Sequence, residues 1–277
     1  MKKLLALALA SVMAFSMMAC GAEVASTETA ATEVAETEAV VTNDDAQFVV
    51  GFDASFPPYG YVDEAGEYVG FDLDLAAEVA ARNGWELVKT PIDWDAKDME
   101  LNSGAIDCIW NGFTINGRED KYAWTDAYVD NSQVYVVAAD SGIATVADLA
   151  GKTVLVQADS SALAALESED MAAVTSTFAA LNQVPEYNTA FLDMEAGAAD
   201  AVAMDIGVAK YQVESRGDKF VILEETIATE QYGVGFALDN TALRDAVQAT
   251  INEMVADGTF AKIAEEWGLS DAVCLGK

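Results

Sequence analysis

The sequence predicts an α/β fold with largely parallel sheets, divided into two similar lobes. Strand-like runs (QFVVGF, ELVKT, IDCIW, SQVYVVA, TVLVQ, DAVAM, KFVIL and YGVGFAL) alternate with segments of helical period. That alternation is the pattern of strands joined through helices packed on a sheet. Two pieces also look alike, SGAIDCIWNG from Ser103 and AGAADAVAMD from Ala196. Each puts a Gly at the end of a helical stretch, an Asp three residues later, and then an apolar strand that finishes in polar residues. Any helix that turns into a parallel strand produces some likeness of this kind, so the value of the repeat is geometric. In α/β sheets ligands sit beyond the carboxyl ends of strands, and those ends carry Asn111-Gly112 in one lobe and Asp205 in the other.

Taken in chain order, the start MKKLLALALASVMAFSMMACGAE has charged residues Lys2 and Lys3, an apolar run and a small-residue exit. This reads as a secretory signal and not as a spanning helix. Its end, Met17-Met18-Ala19-Cys20-Gly21, resembles a bacterial lipobox, with Met17 where the motif usually has Leu. Residues 1–19 would then be removed and Cys20 lipidated as the new N-terminus; an ordinary cleavage site that happens to contain Cys is the alternative. Residues 20–46, built mostly from Ala, Thr, Glu and Val, cannot bury a core and their acids repel one another. An extended, mobile tether is expected there, with structure beginning near Gln47. No later stretch is long and apolar enough to cross a bilayer.

In DLDLAAEVAARNG, Leu75 with Val79 and Ala76 with Ala80 share a helix face, Asp72 is placed to cap the start and Gly84 to close the end. TVLVQ runs into Ala158-Asp159-Ser160-Ser161 and then the helical ALAALESED. Free backbone N–H groups and a hydroxyl at such a helix start suit an anion such as a carboxylate. Alternatively, Asp159 or Ser160 simply caps its helix. Cys108, in the apolar run IDCIW, reads as a buried free thiol, with a disulfide to Cys274 as the other possibility in an exported protein.

Composition narrows the function. Against 47 Asp and Glu stand 14 Lys and Arg, a formal net charge of -33, which argues against DNA, RNA or an anionic lipid surface as partner. The absence of His removes the commonest general base and metal ligand. Lys2 and Lys3 fall in the signal, which leaves 12 basic residues for the mature chain. One of them, Arg118, ends the small polar run NGFTINGR, a placement that calls for a reason beyond pairing with Glu119 or Asp120.

These residues resemble the amino-acid-binding lipoproteins of bacterial ABC importers, of the solute-binding family 3 type. The matching stretches are GFDASFPPYGYVDEAGEYVGFDLDLAAEVA, PIDWDAKDMELNSGAIDCIWNGFTINGRED, GKTVLVQADSSA, ADAVAMD and YGVGFALDNTALRDAVQATINEMVADGTFAKIAEEWG, which together span most of residues 47–270. The resemblance implies a two-lobed periplasmic-binding-protein-like fold of class II, with the ligand cleft between lobes joined by two hinge strands. The first lobe would be 47–138 with a return segment 231–277, and the second 139–230, with crossings near Val137 to Asp140 and Thr229 to Tyr232. Arg118 would pair with the ligand α-carboxylate, Thr114 would bond its polar head, and Asn111 and Gly112 would line the same edge. Asp205 would take the α-ammonium, Ser161 and Ser160 would donate to the carboxylate, and Gln157 would approach the side chain. Phe56 and Trp94 would flank that side chain, with Asp53 at its far end, where two aromatic faces favour a flat or cationic group. A zwitterion needs a fixed planar cation at one end, and Arg supplies two parallel donors to a carboxylate where Lys does not. The spacing from Thr114 to Arg118 is one residue shorter than is usual in the family, which implies a tighter loop or a different angle of approach.

The expected function is therefore an extracytoplasmic, lipid-anchored, monomeric binding protein that delivers a polar L-amino acid to an ABC permease, on the cell surface or in a periplasm. It would need no cofactor, metal or nucleic acid and would touch the membrane only through the lipid. An enzyme on the same fold, such as a cyclic-acid dehydratase, would need a positioned acid or nucleophile, and no His, Cys or Ser constellation supplies one. A ligand-sensing domain would need a spanning helix.

Overall fold

The computed structural model describes residues 47–217 and 219–277. The signal segment, Cys20 and the tether to residue 46 lie outside the described residues. Two five-stranded sheets form the frame. The first runs in the order Glu86–Pro91, Gln47–Phe52, Cys108–Ile109, Gly235–Phe236, Ala123–Trp124. The second runs Ala180–Val184, Thr153–Gln157, Ala201–Asp205, Val129–Ala138, Phe220–Tyr232. Gly235–Phe236 inserts beside Cys108–Ile109 after the chain has built the second sheet, so the first lobe is made from both ends of the described chain.

The sheets are mixed and not largely parallel. Three strands in each run parallel, while Gly235–Phe236, Val129–Ala138 and Phe220–Tyr232 pair antiparallel with their neighbours. The reason lies in the connections. Val129–Ala138 and Phe220–Tyr232 carry the chain between the lobes in opposite directions and lie side by side, and such a pair needs no helical crossover.

The first crossing lies near Val129 to Gln133, not near Val137 to Asp140. Val129 bridges Val273 and the Asp130 N–H donates to the Ala272 carbonyl at 2.8 Å, in the first lobe. From Gln133 the same strand pairs with Ala201–Asp205. The run VYVV is buried core of the second sheet, and an apolar run of that kind does not mark a hinge. On the return strand Thr229 faces Ser132, Glu230 faces Asn131 and Tyr232 faces Val129.

Helix Phe71–Asn83 buries Leu75, Ala76, Val79 and Ala80 and closes on Gly84 at φ 71, the left-handed conformation that Gly adopts without a Cβ penalty. Asp72 does not cap it. Gly70 holds the cap position, so Asp72 is already inside the first turn. Its buried carboxylate instead accepts from the Gly112 N–H at 2.6 Å and from the Tyr128 hydroxyl at 2.9 Å. Both remaining cysteines are free thiols. Cys108 is buried, and Cys274 lies against the Ala127 carbonyl.

Burial pushes the Asp72 carboxyl up to about 7, against the opposing bonds from Gly112 and Tyr128. A folded value above the unfolded one means that the folded protein holds the proton more tightly. The contribution of Asp72 to stability is therefore full in acid and lost as pH rises through about 7. The melting temperature is expected to fall between about pH 4 and about pH 7, and Asp72→Asn to lessen that fall. Melting curves of both proteins across that range check it; an equal slope in the two would remove Asp72 as its source.

Candidate functional site

The carboxyl ends of three strands and one edge of the first sheet meet at a cleft. Asp205 ends Ala201–Asp205 and starts helix Ile206–Ser215, yet its side chain makes no capping bond. Its carboxylate faces the crossing strands and accepts from Tyr232 Oη at 2.5 Å, Gln133 Nε2 at 2.8 Å and Asn131 Nδ2 at 2.9 Å. Beside it lies a second buried acid, Glu230. Its Oε1 accepts from Asn131 Nδ2 and Gln133 Nε2, each at 2.7 Å, and from Thr114 Oγ1 at 3.0 Å. Burial first, and then the charge of Glu230, push the Asp205 carboxyl up to about 8.

Thr114 Oγ1 reaches Ser161 Oγ across the cleft at 3.1 Å, and Ser161 Oγ also accepts from Gln133 Nε2 at 2.9 Å. The two serines of Asp159-Ser160-Ser161 have separate tasks. Ser160 is the cap of helix Ser161–Leu166, its hydroxyl accepting from the Leu163 N–H at 3.1 Å, while Ser161 faces the cleft. Asp159, at φ 54, turns the chain sharply between strand and helix.

The short loop from Thr114 to Arg118 closes as a tight turn, with the Arg118 N–H on the Ile115 carbonyl at 2.8 Å and Gly117 at φ 77. The Arg118 guanidinium lies 5.3 Å over the Phe113 ring and donates at 3.3 Å to the carbonyls of Thr114 and, across the cleft, Asp159. Among the described residues it makes no ion pair with Glu119 or Asp120. Beside it Lys97 is 1% exposed, 5.1 Å over the Trp94 ring, and paired with the Asp159 carboxylate. Burial lowers its ammonium pKa, and the bond to Asp159 works against that shift.

Asp53 and Gln157 also meet from opposite lobes, Gln157 Nε2 donating to Asp53 Oδ2 at 2.6 Å. Asn111 sits behind them, its Oδ1 accepting from the Asp53 N–H at 3.0 Å. Gly112, at φ 54, holds the strand end where a Cβ would stand 2.8 Å from the Phe56 ring. Asp53 and Trp94 line a cavity of about 390 Å³ together with Asp93, Glu100 and Glu186. Phe56 is not part of that lining; it packs on Tyr59 and Tyr187 with ring centres 5.9 and 6.0 Å away. Burial, with the charges of Glu186 and Asp93 adding to it, pushes Asp53 up to about 6 against the bonds from Ser55 and Gln157.

With this geometry in hand, comparison with known proteins gives the family. The profile of the bacterial extracellular solute-binding proteins, family 3, matches residues 48–270. The chain belongs to that family. It is 28% identical over 222 residues to the L-cystine-binding protein TcyJ of Escherichia coli, covering 79% of this chain and 81% of that one. It is 26% identical to the ABC transporter arginine-binding protein 1 of the same organism, covering 78% and 88%. In three dimensions it is similar to an ABC uptake transporter substrate-binding protein from Streptococcus pneumoniae with bound histidine, at a TM-score of 0.79 and 33% identity over 83% of this chain and 95% of that one.

Membership in family 3 does not by itself reveal every polar residue at this cleft. Asn131, Gln133, Glu230 and Lys97 also line it and do not stand out in the sequence. Asn131 and Gln133 stand at alternate positions of a strand whose neighbours Asp130 and Ser132 are less buried, but all four are polar, so the sequence itself carries no period-two signal there. Lys97 carries no local signal either, because its partner Asp159 lies on the opposite lobe. Because Ser160 caps its helix, Ser160→Ala is expected to cost about 1 kcal/mol of stability and Ser160→Gly only a few tenths. Denaturant titration measures both, and equal losses would rule out capping as its main task.

Proposed function

We propose that this chain is the ligand-binding component of an ABC importer, taking one free L-α-amino acid between its lobes and handing it to a membrane permease. The observation that carries this is the convergence on one cleft of a buried acid from the second lobe, Asp205, with an arginine and a hydroxyl from the first, Arg118 and Thr114. Those groups complement the two charges of a zwitterion. Arg118 has N–H donors beyond the two that bond carbonyls, and these would take the α-carboxylate together with Ser161. Asp205 would take the α-ammonium, and Thr114 and Gln157 would complete the contacts. Asp53, Asp93, Glu100 and Glu186 give the neighbouring cavity a negative lining with no basic residue among them, which supports a basic side chain on the ligand. The similarity to arginine-binding proteins supports the same reading. The contacts Gln157 to Asp53, Thr114 to Ser161 and Lys97 to Asp159 span the cleft and would hold the lobes together after a hinge closure on ligand.

The reading includes export, removal of residues 1–19, and anchoring through lipid on Cys20. A flexible chain from Cys20 to Gln47 has a typical span on the order of 25 to 30 Å, enough for the cleft to reach a permease beside the anchor. The protein is a monomeric carrier in this scheme and performs no chemistry on its ligand.

A thermal-shift panel of the common L-amino acids is expected to raise the melting temperature most with basic ones, because a ligand bound only by the native state stabilises it. Arg118→Ala and Asp205→Ala are each expected to weaken binding by about 2 to 5 kcal/mol, since each leaves a ligand charge buried without a partner. Calorimetry reads this directly, and wild-type affinity in Arg118→Ala would show that the shortened loop keeps this arginine off the ligand. Cys20→Ser is expected to move the protein from the membrane fraction to the soluble one without changing its ligand affinity. Retention in the membrane fraction after a high-salt wash would sink the lipid-anchor assignment.

A further inference from the structure

The resemblance assigns the ligand ammonium to one acid, Asp205. The cleft holds two. Asp205 and Glu230 are 3% and 7% exposed, and each lies within hydrogen-bond distance of the same two amide nitrogens. Asn131 Nδ2 lies 2.9 and 2.7 Å from them, and Gln133 Nε2 lies 2.8 and 2.7 Å from them. Strand register enforces this, because Glu230 faces Asn131 on one side of Val129–Ala138 and Asp205 faces Gln133 on the other.

The surroundings of the pair are neutral. Thr114 and Ser161 bond Glu230, Tyr232 bonds Asp205, and the buried hydroxyls of Tyr59 and Tyr187 are near enough for the charge of both acids to raise their pKa further. No Lys or Arg is among these groups. Two carboxylates that close, out of water and without a cation, cannot both be ionised at little cost, and one of them keeps a proton. A further mismatch points to what would replace that proton. With both amide nitrogens turned to the acids, Asn131 Oδ1 and Gln133 Oε1 are buried acceptors with no partner among the described residues. Acceptors in excess of donors, around a net negative charge, suit a compact cation with several N–H groups, and an ammonium has three.

We propose that Glu230 is a second acid of the ammonium subsite, and that the ligand α-ammonium displaces a proton which the Asp205–Glu230 pair holds before binding. This rests on the reading given under Proposed function. The ammonium keeps all three of its protons. One O–H bond of the pair breaks, its proton passes to water, and N–H···O bonds to both carboxylates replace it. The pair then carries two negative charges against the one positive charge of the ligand.

The test is calorimetry with the L-amino acid that raises the melting temperature most, run at about pH 7 in two buffers of different ionisation heat, which counts the protons released. Wild-type protein is expected to release close to one proton per ligand, and its affinity to rise with pH toward about pH 8 and then level off, because only the ionised pair accepts the ammonium. Glu230→Gln, near in shape and still able to meet Thr114, is expected to release clearly fewer protons than wild type and to shift its pH profile toward acid, because burial alone still raises the Asp205 carboxyl. If no amino acid of the panel binds, the amino-acid reading falls and this inference falls with it. If wild-type protein binds but releases no proton, or if Glu230→Gln releases as many as wild type, Glu230 is a strand-crossing residue only, and the amino-acid reading stands. The wild-type proton count decides the matter even if Glu230→Gln fails to fold.

Discussion

The register between Val129–Ala138 and Phe220–Tyr232 is the constraint on which the cleft depends. A strand presents alternate residues to one side, so Val129, Asn131 and Gln133 share a buried face, and their cross-strand neighbours Glu230 and Tyr232 lie on the same face. A slip of one residue in Phe220–Tyr232 would turn Glu230 and Tyr232 to the opposite face, away from both amides. The same two strands carry the chain between the lobes. The polar floor of the cleft and the connection about which the lobes would move are therefore one piece of structure. Any closure of the lobes pivots on residues that touch Asp205.

Charge is distributed with similar economy. In a chain of net charge -33, two cations, Lys97 and Arg118, sit together at the first-lobe edge of the cleft, and both reach Asp159 on the other side. Asp159 can meet them because its left-handed backbone turns the chain just before helix Ser161–Leu166. The acids at the cleft fall into two groups, Asp205 with Glu230 at one end and Asp53 with Asp93, Glu100 and Glu186 at the other. A cation at each end of a ligand would relieve both, and a basic amino acid has that form.

Residues that do not face the cleft set the positions of those that do. Asp72 takes the Gly112 N–H and so fixes the left-handed strand end beside Phe56. Ser160 satisfies the helix start and leaves the Ser161 hydroxyl for Thr114 and Gln133. Asn111 holds the backbone of Asp53. Hydrogen bonds of this kind are modest in net stability, but each removes a rotational freedom that the ligand would otherwise have to order on binding.

Local pattern was enough for some of this. The alternation of strands and helices, the buried face of Phe71–Asn83 with Gly84 at its end, and the strand ends at Asn111-Gly112 and Asp205 are all readable from residues close in sequence, because periodicity and turn chemistry act over a few positions. Arg118 stood out for a related reason, as a scarce cation after a small polar run. Other features depend on contacts between residues far apart in the chain. Asp72 looks like a helix cap until Gly112, 40 residues away, supplies its donor. Glu230 looks like one more surface acid until Asn131, 99 residues away, faces it across a strand pair. Lys97 looks like one more surface cation until Asp159, 62 residues away, pairs with it from the other lobe. The elements and most of their ends follow from local pattern; which acids share a donor follows only from the folded chain, since pairing between strands about 70 to 100 residues apart leaves no periodic trace in it.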